Sequence, residues 1–445
     1  MTMQHADRRP IDQPDGLFTS VTVGSPDWWQ QVGDAGTPLL LTSAPTAVQQ
    51  LMFLWRQPAN QQTAAVVIEV FSATPHPCDA LTLMQHWPDS DVWYWSISLP
   101  ADWCGSYRLV PLAKKPPIPL PGHRQQQRQW WLQQLQMHAS SDPFNPLPGY
   151  GHGCQSPLSR IDLAATDPHT IERPLQGQLQ TLEWVSIALG NRRTVACYQT
   201  VALKPLEAES ATSTPNKPLI LLLDGQWWLN ELPVLADLDR LTAAGHLPAA
   251  IYLLVDSLDN DVRYRELGDS QHFWQALMTE LLPTLPLQAC VHSQPLALVA
   301  GQSLGGLAAL YAHLHWPHRF AAALSQSGSF WWPNPDYAAP AHPTPEQAPV
   351  IRQVAQQQLP LPHIPRRVWL QCGEYEAGMD RLSRSLHNAL HGTGHRSHFE
   401  TVRGGHDRAC WYPALLSGLC RHFQLPDSCA AAPCQPKDAF YEPIE

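Results

Sequence analysis

The stretch Gly301-Gln302-Ser303-Leu304-Gly305 contains the residues whose types and spacing point most directly to chemistry. A serine in the pattern Gly-x-Ser-x-Gly is typical of a nucleophile held on a sharp turn between a strand and a helix. The glycines lack the Cβ atoms that would clash in such a turn. The backbone N–H of Leu304 would then face the negative oxygen that develops during acyl transfer. The pattern predicts a nucleophilic Ser303; the alternative is a glycine-rich turn with an ordinary serine.

His406 is the predicted general base, because a serine hydroxyl is a weak nucleophile until a base accepts its proton. It lies in Arg403-Gly404-Gly405-His406-Asp407, directly after the predicted strand 399–402. Of the 21 histidines, it alone lies on the loop directly after the last predicted strand, which is where hydrolases with this type of serine turn carry their histidine. Asp407 is interpreted as a surface neighbour or a helix cap.

Glu376 is the predicted acid of the triad, and Glu374 is the second choice. Both follow the penultimate predicted strand, 368–371, in the order that this arrangement requires. A Gly-x-x-acid turn that begins at Gly373 favours Glu376. Two alternatives stay open: a solvated loop glutamate, and a Ser–His dyad, because the acid mainly orients the imidazole.

The loop Asp224-Gly225-Gln226-Trp227-Trp228 is expected to supply the second oxyanion donor, since it follows an early apolar run. Gly225 would allow an N–H group to turn inward, so the backbone N–H of Gln226 or Trp227 is the candidate. The alternative is that Asp224-Gly225 is merely a tight turn.

Two clusters at predicted strand ends, 256–267 and 325–332, are candidates for ligand binding, because ligands bind there in open α/β sheets. Arginines beside tryptophans suit planar, anionic, aromatic ligands through charge and stacking. The alternative is a surface ion pair and a packed aromatic lid. The candidate substrate-binding residues are Arg263, Arg265, Trp227 and Trp331.

A mostly parallel sheet with flanking helices would bring these residues together. Buried apolar runs alternate with helical stretches after residue 217, which is the pattern of a parallel sheet. A β-hairpin at 182–187 and 194–199 precedes them. The predicted strands are 219–223, 250–255, 296–300, 321–324, 368–371 and 399–402. The fold class predicted for this part is α/β.

Residues 46–165 show a different pattern, with short β-like runs bounded by Pro, Asp, Asn and Gly, as in a β-sandwich. Trp93, Trp95 and Ile97 alternate, which would turn one apolar face inward. A glutamine-rich helix follows, with Trp131, Leu132 and Leu135 at helical spacing. The predicted organisation is an N-terminal extension at 1–45, a sandwich with linker at 46–165, a catalytic domain at 166–428 and a tail at 429–445.

Composition narrows the class of protein. A chain of 445 residues favours two domains, and a net charge of −10 argues against nucleic acid and anionic membranes as partners. The ten cysteines form no C-x-x-C pair, so neither a metal site nor a disulfide framework is indicated. The polar N-terminus lacks the apolar core of a secretory signal, and no run reaches the ~18 apolar residues of a membrane span. A cytoplasmic location is therefore expected.

Several motifs resemble those of the enterochelin (enterobactin) esterases, which are ferric-siderophore hydrolases of the bacterial cytoplasm. The resemblance runs in order along most of the chain from about residue 45, and its last two motifs are more specific than Gly-x-Ser-x-Gly. The matching segments are Asp142-Pro143-Phe144-Asn145-Pro146, Leu222-Leu223-Asp224-Gly225-Gln226-Trp227-Trp228, Arg263-Tyr264-Arg265-Glu266-Leu267, Gly301-Gln302-Ser303-Leu304-Gly305-Gly306, Leu324-Ser325-Gln326-Ser327-Gly328-Ser329-Phe330-Trp331-Trp332, and Gly404-Gly405-His406-Asp407 with Trp411.

The resemblance implies an immunoglobulin-like N-terminal sandwich and a C-terminal α/β-hydrolase domain. It implies hydrolysis of the serine trilactone of a tris-catecholate siderophore, with iron entering as part of the substrate and no cofactor. By position, Ser303, His406 and Glu376 would be nucleophile, base and acid, and Arg263 would lie near the reacting ester. A ferric tris-catecholate is a trianion, which suits arginines and tryptophans at a pocket rim.

Two other function classes stay in view. One is an acyl esterase of the same fold that acts on carbohydrate or feruloyl esters, which a signal peptide would support. The other is a binding module whose tryptophan-rich sandwich captures a ligand above an inert hydrolase domain. The second would be supported by loss of the serine or the histidine, and both are present. Siderophore esterase is therefore the leading interpretation.

Overall fold

The computed structural model describes residues 23–41, 47–117, 123–151, 157–163, 174–201, 217–268, 270–285, 296–333, 344–359, 367–376 and 378–424. The predicted domain boundary at 165 and the predicted tail at 429–445 lie outside these residues, as do 1–22 and 42–45 of the predicted extension.

The first part of the chain forms a β-sandwich of two antiparallel sheets. Its elements are α1 (Pro26–Ala35), β1 (Leu39–Leu40), β2 (Val48–Arg56), β3 (Ala65–Val70), β4 (Gln85–His86), β5 (Val92–Pro100), β6 (Cys104–Leu112), α2 (Arg124–His138) and β7 (Ser159–Asp162). The strand orders are β1-β2-β5-β4 and β3-β6-β7. Alternate side chains of both sheets meet in one core, with Trp93 buried in it and Trp95 and Ile97 half-buried and packed against it. The predicted inward apolar face is confirmed.

The segment 23–41 is packed onto this sandwich. Helix α1 buries Trp28, Trp29 and Val32, and the ring of Phe144 stacks on Trp29 with centroids 5.1 Å apart. Strand β1 pairs with β2. Part of the predicted N-terminal extension therefore contributes core residues to the sandwich.

Helix α2 matches the predicted glutamine-rich helix, and one of its faces is buried against the sandwich. Gln127, Trp131 and Leu135 are buried, whereas Leu132 is 48% exposed. Positions 127, 131 and 135 follow one another at intervals of four, so they lie on one helix face and Leu132 falls beside it.

The second part is an α/β-hydrolase domain built on an eight-stranded sheet. Its elements are β8 (Gln178–Ser186), β9 (Asn191–Gln199), β10 (Leu219–Leu223), α3 (Gly225–Asn230), α4 (Val234–Ala243), β11 (Ile251–Val255), α5 (Asn260–Gly268), α6 (Ser270–Ala276), β12 (Leu298–Gln302), α7 (Leu304–His315), β13 (Ala322–Gln326), α8 (Pro349–Ala355), β14 (Arg367–Gly373), α9 (Met379–Gly392), β15 (Arg396–Val402) and α10 (Arg408–Gln424). The strand order is β15-β14-β13-β12-β10-β11-β9-β8.

Six strands of this sheet, β10 to β15, run parallel, and the β8–β9 hairpin joins antiparallel to β11. The predicted hairpin and all six predicted strands are confirmed. Strand β12 begins two residues later than predicted and continues through Gln302. Leu221 and Leu223 face one core cluster while Ile220 and Leu222 face another, so the central strand is buried on both faces, as parallel strands are.

The carboxyl ends of the central strands are level with one another. Gln302 of β12 pairs with Gln326 of β13, and Gln326 pairs with Gln371 of β14. The loops that follow these strands therefore meet at one edge of the sheet, which is the position of ligand sites in such folds. The sandwich reaches this edge, since Cys104, Tyr150 and Leu158 form one apolar cluster with Ala409 of α10.

Among the helices of the described residues, none combines the length and apolarity of a membrane-spanning segment. The six cysteines in the same part of the chain are free thiols: Cys78, Cys104, Cys197, Cys372, Cys410 and Cys420.

Candidate active site

Ser303 lies at a strained turn between β12 and α7. Its φ of 58° and ψ of −119° are rare for a residue with a side chain. The turn requires Gly301, because a Cβ atom there would overlap the carbonyl group of Gly305. Leu304 is the first residue of α7, and the first N–H groups of a helix have no acceptor within the helix. The turn thus exposes a hydroxyl beside a backbone donor.

His406 and Glu376 complete a hydrogen-bonded array with this serine. The Nε2 atom of His406 lies 3.1 Å from the Oγ atom of Ser303. Its Nδ1 atom lies 2.8 Å from Oε2 of Glu376. Because the carboxylate accepts a hydrogen bond from the N–H group at Nδ1, Nε2 carries no proton and is left to accept the serine proton. The three predicted residues are therefore in the arrangement of a nucleophile, a base and an orienting acid.

The Glu376 carboxylate is held from its other side. Glu376 is only 4% exposed, and its Oε1 atom accepts hydrogen bonds from the N–H of Gly373 at 2.9 Å and the hydroxyl of Ser327 at 2.5 Å. The indole N–H of Trp411 donates to that hydroxyl at 2.8 Å. Sequence reasoning placed Ser327 only in the candidate ligand cluster 325–332 and did not predict its contact with the acid.

Glu374 has a different environment. It is exposed and forms an ion pair with Arg403, which also pairs with Asp102 of the sandwich at 3.1 Å. Of the two glutamates considered, only Glu376 contacts His406 in the structure.

The two candidate N–H groups of the loop after β10, those of Gln226 and Trp227, differ in the structure. The N–H of Trp227 donates to the carbonyl oxygen of Asp224 at 3.0 Å, so the prediction of Trp227 as an oxyanion donor is corrected. Gln226 is the second residue of α3, where an N–H has no acceptor within the helix. Its side-chain amide is bonded in both directions to Ser257, at 2.8 Å and 3.1 Å, which fixes this part of the loop.

A buried ion pair connects this loop to the serine turn. Asp224 is fully buried with a φ of 54°, and Arg263 donates to both of its oxygens at 2.6 Å and 2.8 Å. Gln302, the residue before Ser303, donates to the same carboxylate at 3.1 Å. Burial alone would lower the pKa of Arg263, but the neighbouring Asp224 carboxylate raises it above its ordinary value.

The sequence led us to expect Arg263 at the pocket rim, and the structure places it elsewhere. Arg263 is 9% exposed. Its bidentate pairing with Asp224 joins helix α5 to the loop after β10.

We expect Asp224→Ala to lower the free energy of unfolding by roughly 3–5 kcal/mol, because it leaves the Arg263 guanidinium buried without its partner. Urea denaturation followed by circular dichroism measures this. Glu374→Ala is the matched control, since its pair with Arg403 is exposed and such pairs contribute at most about 1 kcal/mol. Equal losses in the two variants would contradict the structural importance of the buried pair.

Comparison with known proteins gives the same picture. The family model described as "Enterochelin esterase, N-terminal" matches residues 50–170, and the one described as "Putative esterase" matches residues 196–422. The iron(III) enterobactin esterase of Dickeya dadantii is 35% identical over 435 residues, covering 92% of this chain and 96% of that protein. The chain belongs to the enterochelin esterase family. It is a carboxylic ester hydrolase.

Solved structures agree with the family assignment. The crystal structure of the enterobactin esterase FES from Shigella flexneri in the presence of enterobactin superposes with a TM-score of 0.75 and 31% identity, over 91% of this chain and 99% of that chain. The same enzyme in the presence of 2,3-dihydroxy-N-benzoyl-serine gives a TM-score of 0.73 and 29% identity, over 90% and 99%. The resemblance seen in the motifs is thus confirmed.

In this esterase two arginines face the half-buried ring of Trp227. The guanidinium carbon of Arg263 lies 5.1 Å from the ring centroid and that of Arg408 lies 4.1 Å from it. Arg408 also pairs with Glu231 at 2.5 Å. Sequence reasoning missed Arg408, although it lies two residues after His406.

The other two candidate ligand residues of the esterase lie elsewhere. Arg265 is exposed and lines a pocket of about 630 Å³ together with Tyr264 and Trp332, a pocket that neither Ser303 nor His406 lines. Trp331 is half-buried and packs against the apolar cluster around Phe330 and Leu370, as the alternative of a packed aromatic lid predicts.

Two further residues lie near the triad. The hydroxyl of Ser329 lies 3.3 Å from that of Ser303; the sequence placed Ser329 only within the candidate ligand cluster 325–332. Asp407 is a helix cap rather than a surface neighbour: its carboxylate accepts the N–H of Ala409 at the start of α10 at 3.4 Å. It is buried, and the same carboxylate accepts a hydrogen bond from Tyr150 of the sandwich at 2.9 Å.

Proposed function

We propose that this esterase hydrolyses the ester bonds of the trilactone in ferric enterobactin-type catecholate siderophores and so releases iron in the cytoplasm. The observation that carries the proposal is the Ser303–His406–Glu376 array in a chain that matches iron(III) enterobactin esterases over nine-tenths of its length. The trilactone ring pre-organises three catecholates around the metal, and cleaving it removes that pre-organisation, which weakens iron binding.

The reaction would start with transfer of the Ser303 proton to Nε2 of His406 as the serine oxygen attacks a lactone carbonyl carbon. The N–H groups of Leu304 and Gln226 would stabilise the resulting oxyanion. As the carbon–oxygen bond of the ester breaks, His406 returns the proton to the departing seryl oxygen. The ring is now open, and its acyl end is bound to Ser303.

Deacylation would repeat the same steps with water. His406 accepts a proton from water as the water oxygen attacks the acyl-enzyme, and returns it to the oxygen of Ser303 when that bond breaks. Each ester cleaved consumes one water and yields one hydroxyl and one carboxylic acid. Successive turnovers would give linear trimer, dimer and monomer.

Substrate binding would use aromatic contact more than free charge. Both arginines that face Trp227 are already paired with carboxylates, Asp224 and Glu231. We therefore propose that catecholate rings contact Trp227 and that Arg408 adds to this contact through its guanidinium plane. Arg265 and Trp331 are proposed as outer contacts for the remaining arms of the trianion.

We propose no cofactor for this reaction. Nucleophile, base and oxyanion donors are all groups of the chain, and iron is part of the substrate.

Product chromatography tests the proposal. Incubation of the protein with ferric enterobactin should convert the intact trilactone into linear trimer, dimer and monomer of dihydroxybenzoylserine. Feruloyl and acetyl-xylan esters are run in parallel. Intact trilactone together with cleavage of either of these esters would reject the siderophore assignment and favour the acyl esterase alternative.

A further inference from the structure

Few side chains pack around the imidazole of His406. Its side chain is 41% exposed. Apart from the bonds to Ser303 and Glu376, its ring meets the edge of the Trp411 ring, with centroids 4.8 Å apart. Its placement therefore depends on the main chain of the loop 404–407, between β15 and α10.

The sandwich contacts this loop on the N-terminal side of the histidine. The backbone N–H of His406 donates to the hydroxyl of Ser72 at 3.0 Å. Ser72 follows β3 in a tight turn with a φ of 60°. It lies so close that a Cβ atom on Gly405 would overlap its side chain, and a Cβ atom on Gly404 would overlap the carbonyl oxygen of Cys104.

The sandwich also grips the loop after the histidine. Tyr150 is buried, and its hydroxyl donates to Oδ1 of Asp407 at 2.9 Å while also bonding to Ser106. Burial raises the pKa of Asp407, and hydrogen bonds from Ser106 and Tyr150 oppose that rise. The thiol of Cys104 donates to the carbonyl oxygen of Ala409 at 2.9 Å.

The loop that carries Glu376 also contacts the sandwich. The ring of Tyr375, the residue before Glu376, meets the ring of Trp103 edge to face, with centroids 4.7 Å apart. Its N–H donates to the carbonyl oxygen of Gly404 at 3.1 Å. Base loop and acid loop are thus joined to each other and to one surface of the sandwich.

We propose that the β-sandwich positions the catalytic base, with Ser72 and Tyr150 as positioning residues that fix the main chain on either side of His406. This inference rests on the triad of the proposed function. A domain that supplies no member of the triad then determines how well Nε2 of His406 meets Ser303. Since a misplacement of about 1 Å can cost ~10²-fold in rate, small shifts of this loop have measurable effects.

Two substitutions and two matched controls test this. Ser72→Gly removes the hydroxyl, and glycine suits the positive φ of this position, so the fold is kept. Its control is Asp89→Gly, which also places a glycine at a positive φ in the sandwich, 54°. Tyr150→Phe removes one hydroxyl group. Its control is Tyr94→Phe, which removes a hydroxyl group on strand β5 that donates to Gln85. We measure kcat and KM on an activated aryl ester, the rate of Ser303 phosphonylation by a fluorophosphonate probe, and Tm.

We expect Ser72→Gly to lower kcat about 3- to 10-fold, Tyr150→Phe about 10-fold and the double variant about 30-fold, each with KM changed less than about 2-fold. Phosphonylation should slow in parallel, and Tm of Ser72→Gly should not fall. Values of kcat and phosphonylation within about 2-fold of the controls would overturn the inference. The aryl ester and the probe need only Ser303 and His406, so this result stands apart from whether ferric enterobactin is cleaved.

Discussion

Ser303→Ala is expected to reduce hydrolysis of ferric enterobactin by about 10⁴-fold or more, because it removes the proposed nucleophile of the Ser303–His406–Glu376 array. Binding should change little, since the proposed substrate contacts at Trp227 and Arg408 are kept. Initial rates by product chromatography and quenching of tryptophan fluorescence by the ferric siderophore measure the two quantities separately.

Ser329→Ala is the matched control for this variant. Its hydroxyl lies 3.3 Å from that of Ser303, so it is the other serine placed to meet the same carbonyl group. It does not contact His406 in the structure, and its removal should lower the rate by about tenfold or less. Turnover that survives in Ser303→Ala but is lost in Ser329→Ala would transfer the nucleophile assignment to Ser329.

The sequence could predict the serine turn and the positions of the proposed base and acid because each is defined by a short segment next to a strand end. Ser303 follows β12 directly, Glu376 lies three residues after β14 and His406 four residues after β15. Parallel strands with level carboxyl ends then bring the three segments together. Local pattern and sheet topology were enough for these residues.

The residues that hold the site could not be predicted in this way, because their contacts cross long stretches of chain. The Arg263 guanidinium meets a carboxylate 39 residues away, and Tyr150 meets Asp407 across 257 residues. An arginine near a predicted ligand site looks the same in sequence whether it faces a ligand or a buried aspartate. Only the three-dimensional structure shows that Arg263 is paired beneath the loop and that Arg408 lies over Trp227.

Which backbone N–H group serves as a donor is also difficult to predict from sequence. A sequence shows that the loop after β10 can supply an N–H group, but the choice between Gln226 and Trp227 depends on one turn of the main chain. The carbonyl of Asp224 accepts the N–H of Trp227, in a turn that begins with Asp224 in the left-handed conformation, at a φ of 54°.

The identity of the acid is decided by Glu376→Gln and Glu374→Gln, which make the same chemical change two residues apart. We expect Glu376→Gln to lower kcat by about 10²- to 10⁴-fold with KM nearly unchanged. We expect Glu374→Gln to change kcat by less than about 2-fold, because its partner is the exposed Arg403. Steady-state kinetics on ferric enterobactin, with Tm measured in parallel, compares the two.

The large effect of Glu376→Gln follows from the two donors behind the side chain. The N–H of Gly373 and the hydroxyl of Ser327 both point at Oε1, so the amide oxygen of a glutamine must take that place. Its NH₂ group then faces Nδ1 of His406 at the position now 2.8 Å away. Nδ1 must accept, the imidazole proton moves to Nε2, and His406 can no longer take the proton of Ser303. A loss of less than about tenfold would instead favour a Ser–His dyad that works without an orienting acid.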